Sequence, residues 1–218
     1  MNKQSFLSDK QGFSTNKQSF SSNKKIVRHF KKVDKVLYTY CQKKQYFLIK
    51  PHKKYLESLC REIINQQLSD KVGEVIFARF KKLFSKGKVN TESILKISTQ
   101  KLRGVGMSNA KVKYIKDLAF KVDKKQINFN SLKKLSDEEV ISELTQVKGI
   151  GPWSAEMFLM FTLGREDIFS YGDLGLRNAI KKIYKLENPS KEEIEKIVSK
   201  WSPYKSYACR ILWRSLEI

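Results

Sequence analysis

Cysteine is scarce in this chain of 218 residues: only Cys41, Cys60 and Cys209, far apart and odd in number. Such a set makes no disulfide framework, and a zinc site needs clustered ligands. Histidine is rarer, with His29 and His52 lacking metal-ligand spacing. Clustered carboxylates are missing too, which disfavours a metal-dependent nuclease. No apolar run is long enough to span a membrane, and no hydrophobic signal core follows the start, so a soluble, intracellular protein is expected. Stretches alternating with period two are few, which excludes a mainly β fold and leaves an all-α reading. Acids are in deficit: 22 Asp and Glu face 44 Lys and Arg, a net charge of +22. That excess fits a polyanionic partner, because each neutralised phosphate releases counterions. A soluble protein of a lysine-rich proteome is the alternative.

What is present divides in two. Residues 1–25 repeat "NKQSF" at Asn2–Phe6 and Asn16–Phe20, among Ser, Asn, Lys and Gln with Asp9 as the only acid. This segment buries too little to offset its ordering entropy and reads as a disordered basic tail. It serves as a phosphate tether or as a targeting segment. Residues 26–218 carry 3.6-residue periodicity. Ile26, Val27, Phe30, Val33, Val36, Leu37 and Tyr40 form one stripe, and Leu56, Leu59, Cys60, Ile63 and Ile64 another. Val72, Val75, Ile76 and Phe80 form a third, with Ser69 or Asp70 as cap. Thr91 is the expected cap of the next helix. Ser136 with Glu139 reads as a capping box, and Ser190 opens a helix with acids in its first turn.

Two glycine turns resemble each other, "LRGVGMSNAKVKYI" from Leu102 and "VKGIGPWSAEMFLM" from Val147. Each has the form G-[VI]-G and then a helix. A side chain at these glycines would block a tight turn and the approach of another backbone. The turn leaves N–H groups at a helix N-terminus, which suits an anion. Each turn is therefore a grip for a DNA phosphate or an ordinary helix junction.

Five ordered segments decide between these. "REIINQQLSDKVG", "LRGVGMSNAKVKYIKDLA", "LTQVKGIGPWSAEMF", "LGREDIFSYGDLGLRNAIKKIY" and "WSPYKSYACRILWR" together resemble the helix-hairpin-helix DNA glycosylases, in particular the alkylation-repair branch, 3-methyladenine DNA glycosylase II. The resemblance covers residues 26 to the C-terminus. It implies a two-lobed, all-helical fold with its hairpin at about 144–158, and a chain like the compact members of the family, without an N-terminal β-rich domain. The partner implied is double-stranded DNA containing alkylated bases, engaged by a monomer. The reaction implied is hydrolysis of the bond between an alkylated purine, such as 3-methyladenine or 7-methylguanine, and its sugar. The competing readings are a non-catalytic DNA-binding module and a bifunctional oxidised-base glycosylase.

The same resemblance assigns roles. Asp173 is the catalytic carboxylate; on its residue type alone it would cap the following helix, and the two roles coexist because a helix N-terminus favours negative charge. Related enzymes often carry a second acid just before it, where this chain has Gly172; Glu166 and Asp167 read as loop charges. Bifunctional relatives have a lysine where this chain has Trp153, so water is the expected nucleophile and no Schiff base forms there. Lys148 is a poor substitute. Trp153 and Trp213 line the base pocket with Met157 and Leu174, an aromatic face attracting an electron-poor ring by about 0.5–2 kcal/mol. Trp213 is otherwise a core residue, and Trp201 a structural one. Gln67 is the wedge that fills the hole left by the flipped base, with Leu68 as the alternative. Gly149, Gly151 and Ser154 bind a phosphate. Lys111 and Lys113 contact phosphate or form a solvated helix face. The carbonyls of Thr145, Val147 and Ile150 hold a structural Na+ or K+. No iron–sulfur cluster is expected, since only Cys209 lies in the C-terminal region.

Overall fold

The computed structural model describes residues 17–41, 49 and 51–216. Every regular element among them is helical. The described residues divide into two compact units, 51–163 and a second that joins 17–41 and 49 to 164–216. The hairpin belongs to the first unit and Asp173 to the second.

The first unit contains α3 (Tyr55–Asn65), α4 (Asp70–Lys82), α5 (Thr91–Lys96), α6 (Thr99–Gly104), α7 (Asn109–Asp123), α8 (Asp137–Thr145) and α9 (Pro152–Phe158). A π-helical segment, Leu159–Leu163, continues α9. Helix α3 is the centre of the unit. It buries Tyr55, Leu59, Cys60, Ile63 and Ile64 and packs on α4, α7 and α9. Each fully buried Leu or Ile contributes about 1.5–3 kcal/mol. The inward stripe of α4 is Gly73, Ile76, Phe77 and Phe80. Val72 and Val75, expected inside, are 47% and 45% exposed; Phe77 takes the inward place one turn on. Ser69 is the N-cap residue of α4 but makes no side-chain capping bond. Asn90, not Thr91, caps α5, accepting from Ser93 N. The Ser136–Glu139 capping box forms at α8.

Helix α7 carries two lysines that cap other helices. Lys116 Nζ donates to the carbonyls of Leu95 (2.7 Å) and Ile97 (2.6 Å), at the end of α5. Lys111 does the same for α3. Such bonds satisfy carbonyls that a helix C-terminus leaves without partners, and put positive charge where the helix dipole favours it.

The second unit contains α1 (Lys17–Val33), α2 (Lys35–Cys41), α10 (Leu174–Tyr184), α11 (Lys191–Ser199) and α12 (Lys205–Ser215). Helix α1 begins at Lys17, ahead of the boundary that composition placed after residue 25; residues 1–16 of the tail lie outside the described residues. The single stripe expected over 26–40 is broken at Asp34, whose Oδ1 accepts from Leu37 N (2.9 Å) and starts α2. Asp34 is buried. Its Oδ2 accepts from Trp201 Nε1 (2.9 Å) and Tyr184 Oη (2.5 Å). Three donors compensate the burial of this carboxylate, and Trp201 is fully enclosed. A second capping box, Ser190 with Glu193, opens α11.

Candidate nucleic-acid interface and carboxylate site

The hairpin joins α8 to α9. Val147 N donates to Leu144 O and Ile150 N to Val147 O, closing the turn. Gly149 has φ +84°, and a Cβ there would lie 2.2 Å from the Tyr114 ring. Glycine is required for conformation and space alike. Gly151 differs: its φ is −97°, and nothing lies within 4 Å of an added Cβ. The sequence argument that both glycines avoid a clash holds for Gly149 only. At Gly151 the missing side chain leaves open space at the N-terminus of α9. Pro152 occupies the first helical position, where its missing N–H costs nothing. Gly149 and Gly151 are exposed. Ser154 is 4% exposed, so it is buried and is not an open phosphate contact.

Ahead of the hairpin, the turn after α3 holds "NQQLS". Gln67 is exposed with φ +57°, a left-handed conformation uncommon for a non-glycine residue. Leu68 N donates to Asn65 O (3.2 Å). Gln66 Nε2 donates to the carbonyl of Gly149 at 2.7 Å, so this turn is tied to the hairpin. Lys111 Nζ donates to Ile64 O (2.8 Å) and Gln66 O (2.7 Å). This corrects the reading of Lys111 as a phosphate contact: its ammonium is engaged inside the unit, and burial lowers its pKa from the ordinary value. Lys113 is exposed, as a phosphate contact or a solvated face requires.

Trp153 sits half-buried on the first turn of α9. Met157, on the same helix, is 1% exposed and belongs to the core, not to an open pocket wall. Glu62 on α3, half-buried, was not singled out in the sequence. Burial pushes its carboxyl up to about 8, with Arg61 opposing.

In the second unit Asp173 is the N-cap of α10. It is 1% exposed. Its Oδ1 accepts from Leu176 N (2.8 Å) and from Trp213 Nε1 (3.3 Å). Capping and a fixed, buried carboxylate therefore coexist. Trp213, in α12, is itself buried; its indole edge orients Asp173, a role that the stacking argument did not foresee. Leu174, the next residue, is 62% exposed. At Gly172 nothing lies within 4 Å of an added Cβ, so the missing acid leaves no steric trace. Glu166 and Asp167 are more than loop charges. Glu166 accepts from Tyr207 Oη (2.6 Å), and Asp167 accepts from Ser202 Oγ (2.7 Å) and Lys205 Nζ (3.2 Å), clasping the loop to α12.

Among the described residues no group of three or more His, Cys, Asp or Glu is placed to hold a metal ion, and no helix is long and apolar enough to cross a membrane.

A glycine hairpin between two helices, an excess of basic residues and a buried helix-capping carboxylate fit a helix-hairpin-helix DNA-binding protein. Residues 60–203 match the HhH-GPD superfamily base excision DNA repair proteins, and the chain belongs to that family. It is similar to the DNA-3-methyladenine glycosylase 1 of Schizosaccharomyces pombe, 33% identical over 165 residues, which are 74% of this chain and 72% of that one. It is also similar to the putative DNA-3-methyladenine glycosylase YfjP of Bacillus subtilis, 34% identical over 71% of this chain; there the match spans only 56% of the relative's length. The solved S. pombe 3-methyladenine DNA glycosylase Mag1, in complex with abasic DNA, has a similar structure, with TM-score 0.78 and 30% identity over 89% of this chain and 97% of that one.

Proposed function

We propose that this chain is a monofunctional DNA glycosylase that hydrolyses the N-glycosidic bond of alkylated purines, such as 3-methyladenine and 7-methylguanine, in double-stranded DNA during base excision repair. The buried carboxylate of Asp173, held by a helix N-terminus and an indole N–H, carries the reading. The target nucleotide leaves the stack, because its glycosidic bond is out of reach inside the duplex. The bond breaks with its electron pair going to the base, and the sugar develops positive charge. Asp173 stabilises that charge. A water then adds to the sugar carbon and gives up a proton, leaving a free base and an abasic site. An alkylated purine departs readily, so no strong general acid is needed.

The other residues serve this step. Trp153, half-buried, offers aromatic surface toward an electron-poor base, while Trp213 is buried and serves through its bond to Asp173. Gln67, or Leu68 beside it, fills the vacated position in the stack. Gly149 and Gly151 grip the phosphate backbone, supported by Lys113. The carbonyls of Thr145, Val147 and Ile150 suit a monovalent cation such as Na+ or K+: they are hard oxygen donors, and only one lone pair of Val147 is committed to the turn. The enzyme works as a DNA-associated monomer and needs no other cofactor.

Trp153 stands where a lysine nucleophile would be needed, which separates this reading from a glycosylase–lyase. The test is product analysis on a duplex with one 7-methylguanine. Free base with an unbroken strand that alkali then cuts, and no borohydride-trapped adduct, is expected. A trapped adduct contradicts the monofunctional reading, and binding without base release favours a DNA-binding module.

A further inference from the structure

Three residues on one face of α7, spaced three apart, reach both the turn after α3 and the hairpin. Lys111 holds the carbonyls of Ile64 and Gln66 at 2.8 and 2.7 Å. The Tyr114 ring lies against Gly149. Asp117 Oδ2 accepts from Lys148 N at 2.9 Å. Gln66 closes the circuit, with Nε2 on the Gly149 carbonyl at 2.7 Å. The Gln66–Leu68 turn and the hairpin are thus mounted on one helix and bonded to each other. On its other side the turn is closed by Leu68 N, which donates to Asn65 O at 3.2 Å.

We propose that Lys111 and Gln66 are positioning residues for base flipping: they fix the wedge turn at a set distance from the phosphate-gripping hairpin. The proposal rests on the reading above in which Gln67 is the wedge. A wedge must push against a base stack that resists unstacking. A turn free to recoil would yield instead of the duplex. Gln67 is held in a left-handed conformation that its side chain does not favour. It is held just ahead, where Gln66 bonds to the hairpin and to Lys111, and just behind, where Leu68 N donates to Asn65 O. The hairpin amides grip the backbone, Gln66 transmits that grip to the turn, and Lys111 prevents the turn from slipping along α7. The ammonium is suited to this because it donates to two carbonyls at once, and bonds to charged donors are the stronger ones.

The test is a double-mutant cycle with the full chain. Lys111→Met, Lys111→Arg, Gln66→Ala, Gln67→Ala and Lys111→Met/Gln67→Ala are compared in two assays: single-turnover release of 7-methylguanine, and the ratio of Kd for undamaged duplex to Kd for duplex with a tetrahydrofuran abasic analogue. Lys111→Met and Gln66→Ala are expected to lower both release and the abasic preference about tenfold, with undamaged-duplex Kd within about twofold of wild type. Lys111→Arg restores most of the loss, since a guanidinium also donates to two acceptors. Adding Lys111→Met to Gln67→Ala costs less than about twofold, because the wedge it serves is gone. Independent, multiplying effects overturn the proposal, as does a Lys111→Met loss that appears equally in undamaged-duplex Kd. A Gln67→Ala variant with normal release and normal abasic preference rejects the wedge and the proposal with it. If wild type releases no alkylated base but the abasic preference follows the expected pattern, the positioning role stands and the substrate reading falls.

Discussion

Replacing Gly149 by alanine separates the two hairpin glycines. An L-residue in a left-handed conformation such as φ +84° costs roughly 1–2 kcal/mol. The new Cβ also meets three atoms of the Tyr114 ring at 2.2–2.6 Å, and such overpacking costs about 1–3 kcal/mol once the ring is displaced. The sum is a loss of about 2–5 kcal/mol, read as a lower urea midpoint at unchanged slope. Gly151→Ala should cost only about 0.5–1 kcal/mol, the difference between glycine and alanine at an N-cap, since its φ is ordinary and its Cβ would enter open space. Its damage is functional: the methyl occupies the phosphate approach and weakens binding to duplex DNA. In a Tyr114→Ala background the steric part of the Gly149→Ala loss disappears and about 1–2 kcal/mol remains. A Gly149→Ala variant as stable as wild type refutes the argument. So does a loss that ignores the removal of the ring.

Two further outcomes follow from single contacts. Trp213→Phe keeps most of the buried ring but removes the N–H donated to Asp173 at 3.3 Å. Base release should slow about tenfold while affinity for abasic DNA holds; an unchanged rate means that the indole does not orient the carboxylate. Glu62→Gln tests burial on α3. The folded carboxyl is raised from 4.5 to about 8, so the folded state favours its neutral form. Wild-type stability is whole below the unfolded pKa and is lost as pH rises through about 8. The glutamine variant therefore gains Tm relative to wild type from about pH 5 upward, with a plateau beyond pH 9. A difference independent of pH contradicts this.

The helices were legible where local chemistry decides. The Ser136 capping box, the helix start at Ser190, the α3 stripe and the helical class follow from spacing alone. Asp173 was legible as a cap, and it is the N-cap of α10. What escaped depended on distant partners. No periodicity shows that Asp34 breaks a stripe to meet Trp201 and Tyr184, 167 and 150 residues away in the chain. Lys111 looked like a surface charge because its two acceptors lie 47 and 45 residues earlier. Phe77 displaced Val72 and Val75 because the larger ring buries more apolar area, a choice that helical spacing alone leaves open. Nothing in the sequence marks Gln66, whose acceptor is a hairpin carbonyl 83 residues on.

The most direct measurement is single-turnover base release from a duplex carrying one labelled 7-methylguanine, with wild type and Asp173→Asn side by side. Asparagine is as good an N-cap as aspartate, so α10 and the fold should persist. The account predicts release by wild type and at least about a hundredfold loss in the variant, with abasic-duplex Kd within about threefold. Release that survives the substitution contradicts it and moves the chemistry away from Asp173.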